Sequence, residues 1–413
     1  MPSVPRPPSF RRALAHRPFF LLWTSQLVSQ SGDFIFDVAL LWLVLQTTGS
    51  VFAVSLVVVA TLIPVVLLGP VLGVYVDRWP RRTILLLTNL GEGVLVAALS
   101  GLVLTHQTGL TVIIVIVFAL GVGGQFVRIT SNAMVPQTVG TTDLGTANSL
   151  LSFSNSTTQV VGLSVGGVVV ALFGVDLPIT YDAITFFVAA LIVMLMSPTI
   201  GRPEPTPAGT GPRFASQFSE GVRYVARQRF LVELIALGLV VNFAGNAVFA
   251  LWAPYADLVL HGGAATYGLL GAMIAVGAIV GAIVIGKVDT RRTAGKLLFA
   301  GNAGVGALMI GLGVTRSIPL ALAESFLIGV LLSVINIPLL TLVQAKVPSR
   351  LMGRVMSVLM GFILAAAPFG AYFAGSLASA TSVGFVYVAA GGIVIATDAV
   401  GVVAMREVRN VTY

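Results

Sequence analysis

The sequence contains no cysteine, little charge and few histidines. Without cysteine in any of its 413 residues, the chain can form neither disulfide bonds nor metal sites with thiolate ligands. Only 9% of the residues are Asp, Glu, Lys or Arg, whereas water-soluble domains carry about 25%. The three histidines stand singly, and no group of His, Asp and Glu has the spacing of a metal site. The composition therefore argues against a soluble globular protein and against a metalloprotein.

Long apolar runs make up most of the sequence. Hydrophobic residues account for 57% of the chain, and the mean hydropathy is +1.00. The runs between charges are about 20 to 28 residues long, enough to cross a hydrocarbon core of about 30 Å as a helix. A transmembrane β-barrel would instead show alternating segments of about 10 residues, which are absent. The predicted fold class is an all-α membrane protein.

The runs predict twelve transmembrane helices with short connections. They lie at residues 19–46, 51–76, 83–105, 110–136, 146–173, 178–198, 230–258, 267–287, 293–314, 318–342, 354–377 and 382–405. Connections on one side of the membrane, such as 47–50, 106–109 and 315–317, are only three or four residues long. No soluble catalytic domain fits into connections of this length.

Basic residues are concentrated in alternate connections and towards both ends of the chain. The sequence pI is about 10.2, but 21 of the 23 Lys and Arg residues fall in these segments. The exceptions are Arg128, inside a helix, and Arg316, in an outer connection. This placement follows the positive-inside rule, so it does not indicate a nucleic-acid partner. It predicts a membrane protein with both termini in the cytoplasm and an uncleaved first helix.

The longest break between spans divides the chain into similar halves. We predict an N-terminal six-helix bundle at 1–199, a cytoplasmic linker at 200–229 and a C-terminal six-helix bundle at 230–413. Residues 201–212 are rich in Pro and Gly and predict an irregular segment. An amphipathic interfacial helix follows, with one apolar face made by Phe214, Phe218, Val222 and Val225. The halves echo each other at an offset near 210 residues, as in Phe20 and Phe230 or Trp42 and Trp252.

A hydrophilic turn between the second and third spans carries the most distinctive motif. Residues 73–82 read GVYVDRWPRR, that is, Gly-x-x-x-Asp-Arg-x-x-Arg-Arg. The motif resembles the cytoplasmic loop between helices two and three of the major facilitator superfamily. Residues 19–90 resemble its drug:proton antiporter branch, which includes macrolide, mycobacterial multidrug and siderophore exporters. One departure is helix 5, where GLSVGG at 162–167 lacks the proline usual in antiporters. The resemblance implies two six-helix bundles that alternate access to a path between them.

The resemblance also implies a conformational gate at this turn. The residues concerned are Gly73, Asp77, Arg78, Arg81 and Arg82, together with Gly353 at the start of helix 11. In this interpretation, the Asp77 carboxylate caps the helix that begins near Gly353 and pairs with an arginine of the turn. The alternative is a cluster of arginines that only fixes topology, beside one solvated aspartate.

Several ionisable residues fall inside predicted spans, where each costs about 2.5–3.5 kcal/mol to insert. Asp33 and Asp37 lie four residues apart on one face of helix 1, and two like charges there favour proton binding. The alternative is a pair held by hydroxyls and amides in a wet cavity without titrating. Glu324 in helix 10 is a second coupling candidate. Arg128 requires an anionic partner, for which Asp33 or Glu92 is available.

Aromatic and amide side chains at similar depth are candidates for lining a substrate cavity. The set is Gln26, Phe36, Trp42, Asn242, Asn246, Trp252 and Asn336. For Asn242 and Asn246, again four residues apart, interhelical hydrogen bonding and cavity lining are equally good interpretations.

The sequence therefore predicts a monomeric, proton-coupled exporter of small amphipathic molecules. Its expected partners are the substrate, protons and the lipid bilayer. An enzyme is not expected, because no nucleophile and base are paired, and no cofactor is expected, because the Walker lysine motif is absent. One alternative is an exporter of a specific siderophore or lysolipid. Another is a non-transporting membrane receptor or structural protein.

Overall fold

The computed structural model describes residues 10–201, 214–290 and 293–409, and every regular element in these segments is a helix. The first half contains α1 (Phe10–Ala15), α2 (Arg17–Thr48), α3 (Val51–Leu67), α4 (Gly69–Arg78), α5 (Arg81–Leu104), α6 (Leu110–Gly140), α7 (Asp143–Phe173) and α8 (Asp176–Met194). The second half contains α9 (Phe214–Arg227), α10 (Arg229–Ala250), α11 (Gly263–Ile285), α12 (Ala294–Val314), α13 (Ile318–Lys346), α14 (Met352–Ala380) and α15 (Val383–Ala404).

Eleven of the described helices are long and apolar enough to cross a membrane: α2, α5 to α8 and α10 to α15. This confirms the predicted all-α membrane fold. The second predicted span, residues 51–76, is interrupted at Leu68 and forms α3 and α4 instead. Pro64 lies inside α3, and a second proline occupies the first turn of α4. Because proline donates no backbone hydrogen bond and its ring crowds the preceding turn, a continuous helix is disfavoured there.

The connection between the fourth and fifth spans is shorter than predicted. Helix α6 runs to Gly140 and α7 begins at Asp143, whereas the sequence predicted a break from 136 to 146. The chain turns at Gly140, whose φ of 70° and ψ of 179° interrupt the helical conformation. Residues that carry a side chain rarely adopt this backbone conformation. Glycine at position 140 therefore allows the chain to turn between α6 and α7 within three residues.

The chain forms two compact units. The first consists of residues 1–40 and 63–205, and the second consists of residues 41–62 and 206–413. The last part of α2 and most of α3 therefore belong to the second unit, although they lie in the first half of the sequence. The six-helix bundles at 1–199 and 230–413 are inferred from the sequence repeat, and they remain a prediction. The predicted irregular stretch at 202–212 and the basic pair at 291–292 lie outside the described residues.

Each half begins with a short helix held to the start of its fifth span. In the first unit, Arg12 of α1 and His16 contact the Asp143 carboxylate at the start of α7, at 3.1 and 3.2 Å. In the second unit, Glu220 of α9 pairs with Arg354 in the first turn of α14. The ion pair thus occurs at corresponding places with its polarity reversed.

The predicted amphipathic helix is present as α9, but its apolar face is not free for lipid. Val225 is buried in the core of the second unit, and Val222 packs against the same core. The side chain of Phe214 lies outside the described residues, and Phe218 is exposed. The physical reason is the pairing with α14, which turns the apolar face towards protein.

Glycines bring the helices of the second unit into backbone contact. A Cβ atom on Gly277 of α11 would collide with the Phe326 carbonyl oxygen of α13, and one on Gly329 of α13 would collide with that of Ile274. Gly391 of α15 meets Gly306 of α12 in the same way. Without a hydrophobic driving force between helices in lipid, such close approach supplies much of the packing energy.

Arg81 and Arg82, at the start of α5, bond to backbone carbonyls of two other helices in the first unit. Arg82 donates from Nη2 to the Met194 carbonyl at 2.8 Å and from Nε to that of Val193 at 3.3 Å. These are the last two carbonyls of α8, at the end where a helix lacks donors of its own. Arg81 donates from Nη1 to the Ala133 carbonyl, inside α6, at 3.1 Å. Arg82 therefore caps α8 and Arg81 joins α5 to α6, roles that the sequence pattern does not indicate.

We expect Gly391→Ala to destabilise the protein and Gly392→Ala to leave its stability unchanged or slightly raised. At position 391, a Cβ atom would meet Gly306 and the Ile310 side chain, whereas at position 392 it meets no atom within 4 Å. Overpacking of this kind costs about 1–3 kcal/mol. The melting temperature of the purified protein in detergent should fall for Gly391→Ala alone. Equal melting temperatures would contradict the backbone contact between α12 and α15.

Arg82→Gln should also lower the melting temperature, because the carboxyl end of α8 loses a cationic donor. A cation at a helix C-terminus contributes about 0.3–1 kcal/mol, and up to about 2 kcal/mol when partly buried. Arg78→Gln is the matched control, since Arg78 is exposed at the end of α4. If both variants melt at the temperature of the native protein, Arg82 does not stabilise α8.

Candidate functional site

Four acidic side chains from three helices converge in the first unit. Asp33 and Asp37 come from α2, Glu92 from α5 and Asp182 from α8. Asp33 is an electrostatic neighbour of the other three, and Asp37 is also a neighbour of Asp182. The sequence singled out Asp33 and Asp37 as a pair and did not place Asp182 with them. Their convergence depends on helix packing, which no spacing along the chain reveals.

Close helix packing places the two buried acids against their neighbours. A Cβ atom on Gly32 of α2 would touch the Thr185 hydroxyl and the Asp182 carboxylate, with the Asp182 Cα at 3.1 Å. Likewise, Glu92 lies against Gly123 of α6, where a Cβ atom would be 2.9 Å from the Glu92 Cδ. Both contacts require glycine, because any side chain would displace the acid.

The four acids differ in their access to solvent. Asp37 is exposed and Asp33 is half-buried. Glu92 and Asp182 are buried, with 5% and 1% of their surface exposed. Accessibility therefore decreases from Asp37 through Asp33 to the pair on α5 and α8.

Arg128 is not paired with an acid, which corrects the expectation for this residue. Its Nη2 donates to the Gln125 Oε1 at 2.6 Å, one turn earlier in α6. Among the ion pairs of the described residues, none joins Arg128 to Asp33 or Glu92. The side chain is exposed, so the neutral amide and solvent provide enough partners.

The predicted cavity residues on α2 are mostly enclosed by protein. Phe36 and Trp42 retain only 6% and 8% of their surface, and Gln26 is half-buried. Polar side chains beside them join α2 to α7 instead. Trp23 donates from Nε1 to the Ser154 hydroxyl at 2.8 Å. Of this set, Gln26 alone retains substantial solvent access.

Glu324 lies in a second polar cluster, within the second unit. It is buried, and its Oε1 accepts from the Thr315 hydroxyl at 3.3 Å. Its Oε2 has no hydrogen-bond partner among the described residues, and neither does the hydroxyl of Tyr255, an electrostatic neighbour. Tyr255 begins a π-helical turn at Tyr255–Val259, where the predicted helix 230–258 is interrupted. Such turns are frequent at functional sites, but the sequence carried no signal for this one.

The amides of α10 make hydrogen bonds within their own helix. Asn242 donates to the Gly238 carbonyl at 3.2 Å, and Asn246 donates to that of Asn242 at 2.9 Å. Of the two interpretations of these residues, interhelical hydrogen bonding gains no support from these bonds, since each amide reaches the carbonyl one turn earlier. Asn336 of α13 is exposed and bonds to Leu332 in the same way, at 2.8 Å.

Trp252 is buried and does not line an open cavity. It stacks on Phe249, with ring centroids 5.3 Å apart and an interplanar angle of 27°. Its indole N–H has no hydrogen-bond partner in the described part of the chain. A buried indole N–H usually has a hydrogen-bond partner, so this donor is unusual.

The second unit also contains an apolar cavity of about 450 Å³ between α10, α14 and α15. Its lining includes Phe243 and Ala247 of α10, Gly370 and Phe373 of α14, and Ile393 of α15. None of the predicted cavity residues lines it. The cavity lacks charged side chains and suits a hydrocarbon group.

The predicted gate residues differ in their exposure and in the bonds that they make. Asp77 and Arg78 are exposed and Gly73 is half-buried, whereas Arg82 caps α8 and Arg81 bonds to a carbonyl inside α6. No ion pair found in the described segments includes Asp77, so its expected pairing with an arginine of the turn is absent here. Both arginines are occupied by backbone carbonyls instead. Gly353 is exposed at the start of α14, and its contact with Asp77 stays a prediction.

The sequence is similar to bacterial transporters over nearly its whole length. A family model described as a transmembrane secretion effector matches residues 10–411. The multidrug efflux pump Tap of Mycobacterium tuberculosis is 25% identical over 405 residues, covering 94% of this chain and 93% of its own. An MFS-type transporter of Bacillus subtilis, YvqJ, is 25% identical over 94% of this chain and 92% of its own. Macrolide efflux protein A of Streptococcus pyogenes is 21% identical, with coverage of 91% and 93%.

Solved structures support the same fold. A D-xylose–proton symporter has a TM-score of 0.71 at 15% identity and covers 96% of this chain and 100% of its own. A bacterial homologue of the lysosomal transporter Spinster has a TM-score of 0.70 at 15% identity, with coverage of 95% of both chains. The chain therefore belongs to the transmembrane secretion effector family of the major facilitator superfamily, whose members are multi-pass membrane transporters and not enzymes.

Proposed function

We propose that the protein exports small amphipathic molecules across the bacterial inner membrane by alternating access, driven by inward proton flow. The observation that carries the proposal is the group of membrane-embedded acids around Asp33 and Asp37, which has no cationic partner among the described residues. The relatives named as multidrug and macrolide efflux proteins support the direction and the substrate class.

The energetic argument starts from the cost of charge in the bilayer. Each ionised acid at a helix centre costs about 2.5–3.5 kcal/mol, so an unpaired group gains stability when it binds a proton. A proton that moves down a membrane potential supplies about 2.3 kcal/mol per 100 mV. Asp33 and Asp37 bind and release this proton, and Glu324 is a second candidate in the other unit. Loss of the proton leaves a negative site that favours a cationic or neutral polar substrate.

The substrate class follows from the chemistry of the two units. Asp37 is exposed and attracts cations, while the cavity lined by Phe243 and Phe373 accepts an apolar group. A molecule with a cationic or polar end and an apolar body satisfies both. No dedicated hydrogen-bonding array is needed, which suits broad specificity.

The gate is part of the same proposal. Arg81 bonds to the Ala133 carbonyl inside α6 and Arg82 bonds to the last carbonyls of α8, whereas Asp77 and Arg78 are exposed. A turn fixed in this way presents the Asp77 carboxylate in a defined position. We expect it to cap the start of α14 near Gly353 when the transporter is closed on the cytoplasmic side.

The orientation and oligomeric state also belong to the proposal. Alternate basic connections put both termini in the cytoplasm, and each terminus lies partly outside the described residues. A monomer is expected, because each chain has both halves that alternating access requires.

Export of a single-chain lipid is the second candidate function. The cavity between α10, α14 and α15 favours it, because its lining has the chemistry of an acyl-chain site. The siderophore alternative has less support, because no basic side chain lines this cavity. A proteoliposome assay that compares fluorescent lysophosphatidylcholine with ethidium separates the two candidates. A non-transporting receptor would move neither compound.

Asp33→Asn and Asp37→Asn should each abolish drug resistance in a host that lacks its own efflux pumps. Asparagine keeps the size of the side chain but cannot exchange a proton. Resistance at equal expression should fall to the level of cells without the transporter. The control is Asp176→Asn, an acid at the start of α8 outside the acidic cluster, which should keep resistance. Full resistance in both Asp33→Asn and Asp37→Asn would exclude proton coupling through these residues.

Asp77→Asn should slow ethidium export by about two- to fivefold. A carboxylate at an exposed helix N-terminus contributes about 0.3–1 kcal/mol, and its loss changes the gating equilibrium by that factor. The rate is measured in proteoliposomes, with equal incorporation confirmed for each variant. Asp77→Glu keeps the charge and should retain most of the rate. An unchanged rate in Asp77→Asn would contradict the gate.

A further inference from the structure

Asp182 is a buried acid with an incomplete set of hydrogen bonds. It retains 1% of its surface and lies inside α8. Its Oδ1 is 3.3 Å from the Thr185 hydroxyl, whose shorter bond, of 2.8 Å, goes to the Asp182 backbone carbonyl. Its Oδ2 has no hydrogen-bond partner among the described residues. A carboxylate in this setting is poorly solvated, so an unmet acceptor has to be explained.

The groups that face Asp182 are all acids or neutral. Asp33 and Asp37 face it from α2, Glu92 faces it from α5, and Thr185 lies on its own helix. Arg128 of α6 donates to Gln125 and is not among these neighbours. Asp182 therefore has three acidic neighbours, and no ion pair of the described residues includes it. Without a cation, charge in such a cluster is limited by binding protons.

Helix packing keeps Asp182 close to Asp33. Gly32 has no side chain, so the backbone of α2 approaches the Asp182 Cα and the Thr185 hydroxyl directly. Asp33 is the next residue, and its electrostatic coupling to Asp182 follows from this approach. A proton can pass between carboxyl groups when they are neighbours, and it can enter from water when one of them is accessible.

We propose that Asp182, with Glu92, forms a second proton-binding site behind Asp33 and Asp37, so that each transport cycle carries two protons. Protons enter at the exposed Asp37, pass to the half-buried Asp33 and are stored on the buried acids. In each transfer, the proton leaves the carboxyl oxygen of the donor and binds a carboxylate oxygen of the acceptor, and no other bond changes. The inference rests on the proposed proton-coupled export and adds its stoichiometry.

Infrared spectroscopy of the purified protein in lipid tests the site without a substrate. Protonated carboxyl groups give a carbonyl stretching band that disappears on ionisation, and the band is followed as pH is raised. Asp182→Asn, which is nearly isosteric, should remove one pH-dependent component and change the pH at which the Asp33 component is lost. Asp398→Asn is the matched control, because Asp398 is another buried acid, 3% exposed, on α15 of the second unit. It should leave the Asp33 component unchanged.

Thr185→Val covers the case in which Asp182→Asn does not fold. Loss of the hydroxyl should shift the pH at which the Asp182 component is lost, without removing the component. A spectrum in which neither variant alters any pH-dependent component would overturn the proposal, because Asp182 would then not exchange its proton.

Transport stoichiometry gives an independent readout, with ethidium as the probe. In proteoliposomes, the number of protons moved per ethidium should fall by about half in Asp182→Asn and stay unchanged in Asp398→Asn. An unchanged ratio in Asp182→Asn would contradict two-proton coupling. If even the native protein moves no ethidium, the proposed export fails for this probe, while the infrared titration still decides whether Asp182 binds an exchangeable proton.

Discussion

The low polarity of the bilayer interior is the constraint on which the rest of the structure depends. Backbone groups in hydrocarbon must be satisfied within the chain, which leaves long helices as the spanning elements of the described residues. The same constraint acts on the end of α8, where Arg82 supplies donors to the last two carbonyls. It also makes each embedded acid expensive, so the acids near Asp33 require a reason to persist.

Close packing through glycine links architecture to the site. In the second unit, Gly277, Gly329 and Gly391 let helix backbones touch, which stabilises the bundle without large side chains. In the first unit, Gly32 and Gly123 create the space that Asp182 and Glu92 occupy. These five glycines therefore either join two helices or admit a buried acid, and only their neighbours across the interface decide which.

The two halves share a plan but differ in detail. Each begins with a short helix that is paired to the start of its fifth span, through Asp143 in one case and Arg354 in the other. The reversed polarity shows that position is retained while the charges are exchanged. The chemistry of the halves also differs, because the first unit gathers four acids and the second contains Glu324 beside Tyr255.

Composition and periodicity alone determined the membrane fold and the positions of most spans, because hydrocarbon imposes length and polarity on each segment separately. The role of Asp33 and Asp37 stays a prediction. The sequence pattern did not identify the correct partners of side chains that lie where different helices meet. It paired Arg128 with an acid, although the side chain reaches Gln125 within its own helix, and it left Asp182 out of the cluster. It also missed the break at Leu68, where prolines override an apolar run. These features depend on the distances between side chains of different helices and on local backbone geometry, which only the tertiary structure decides.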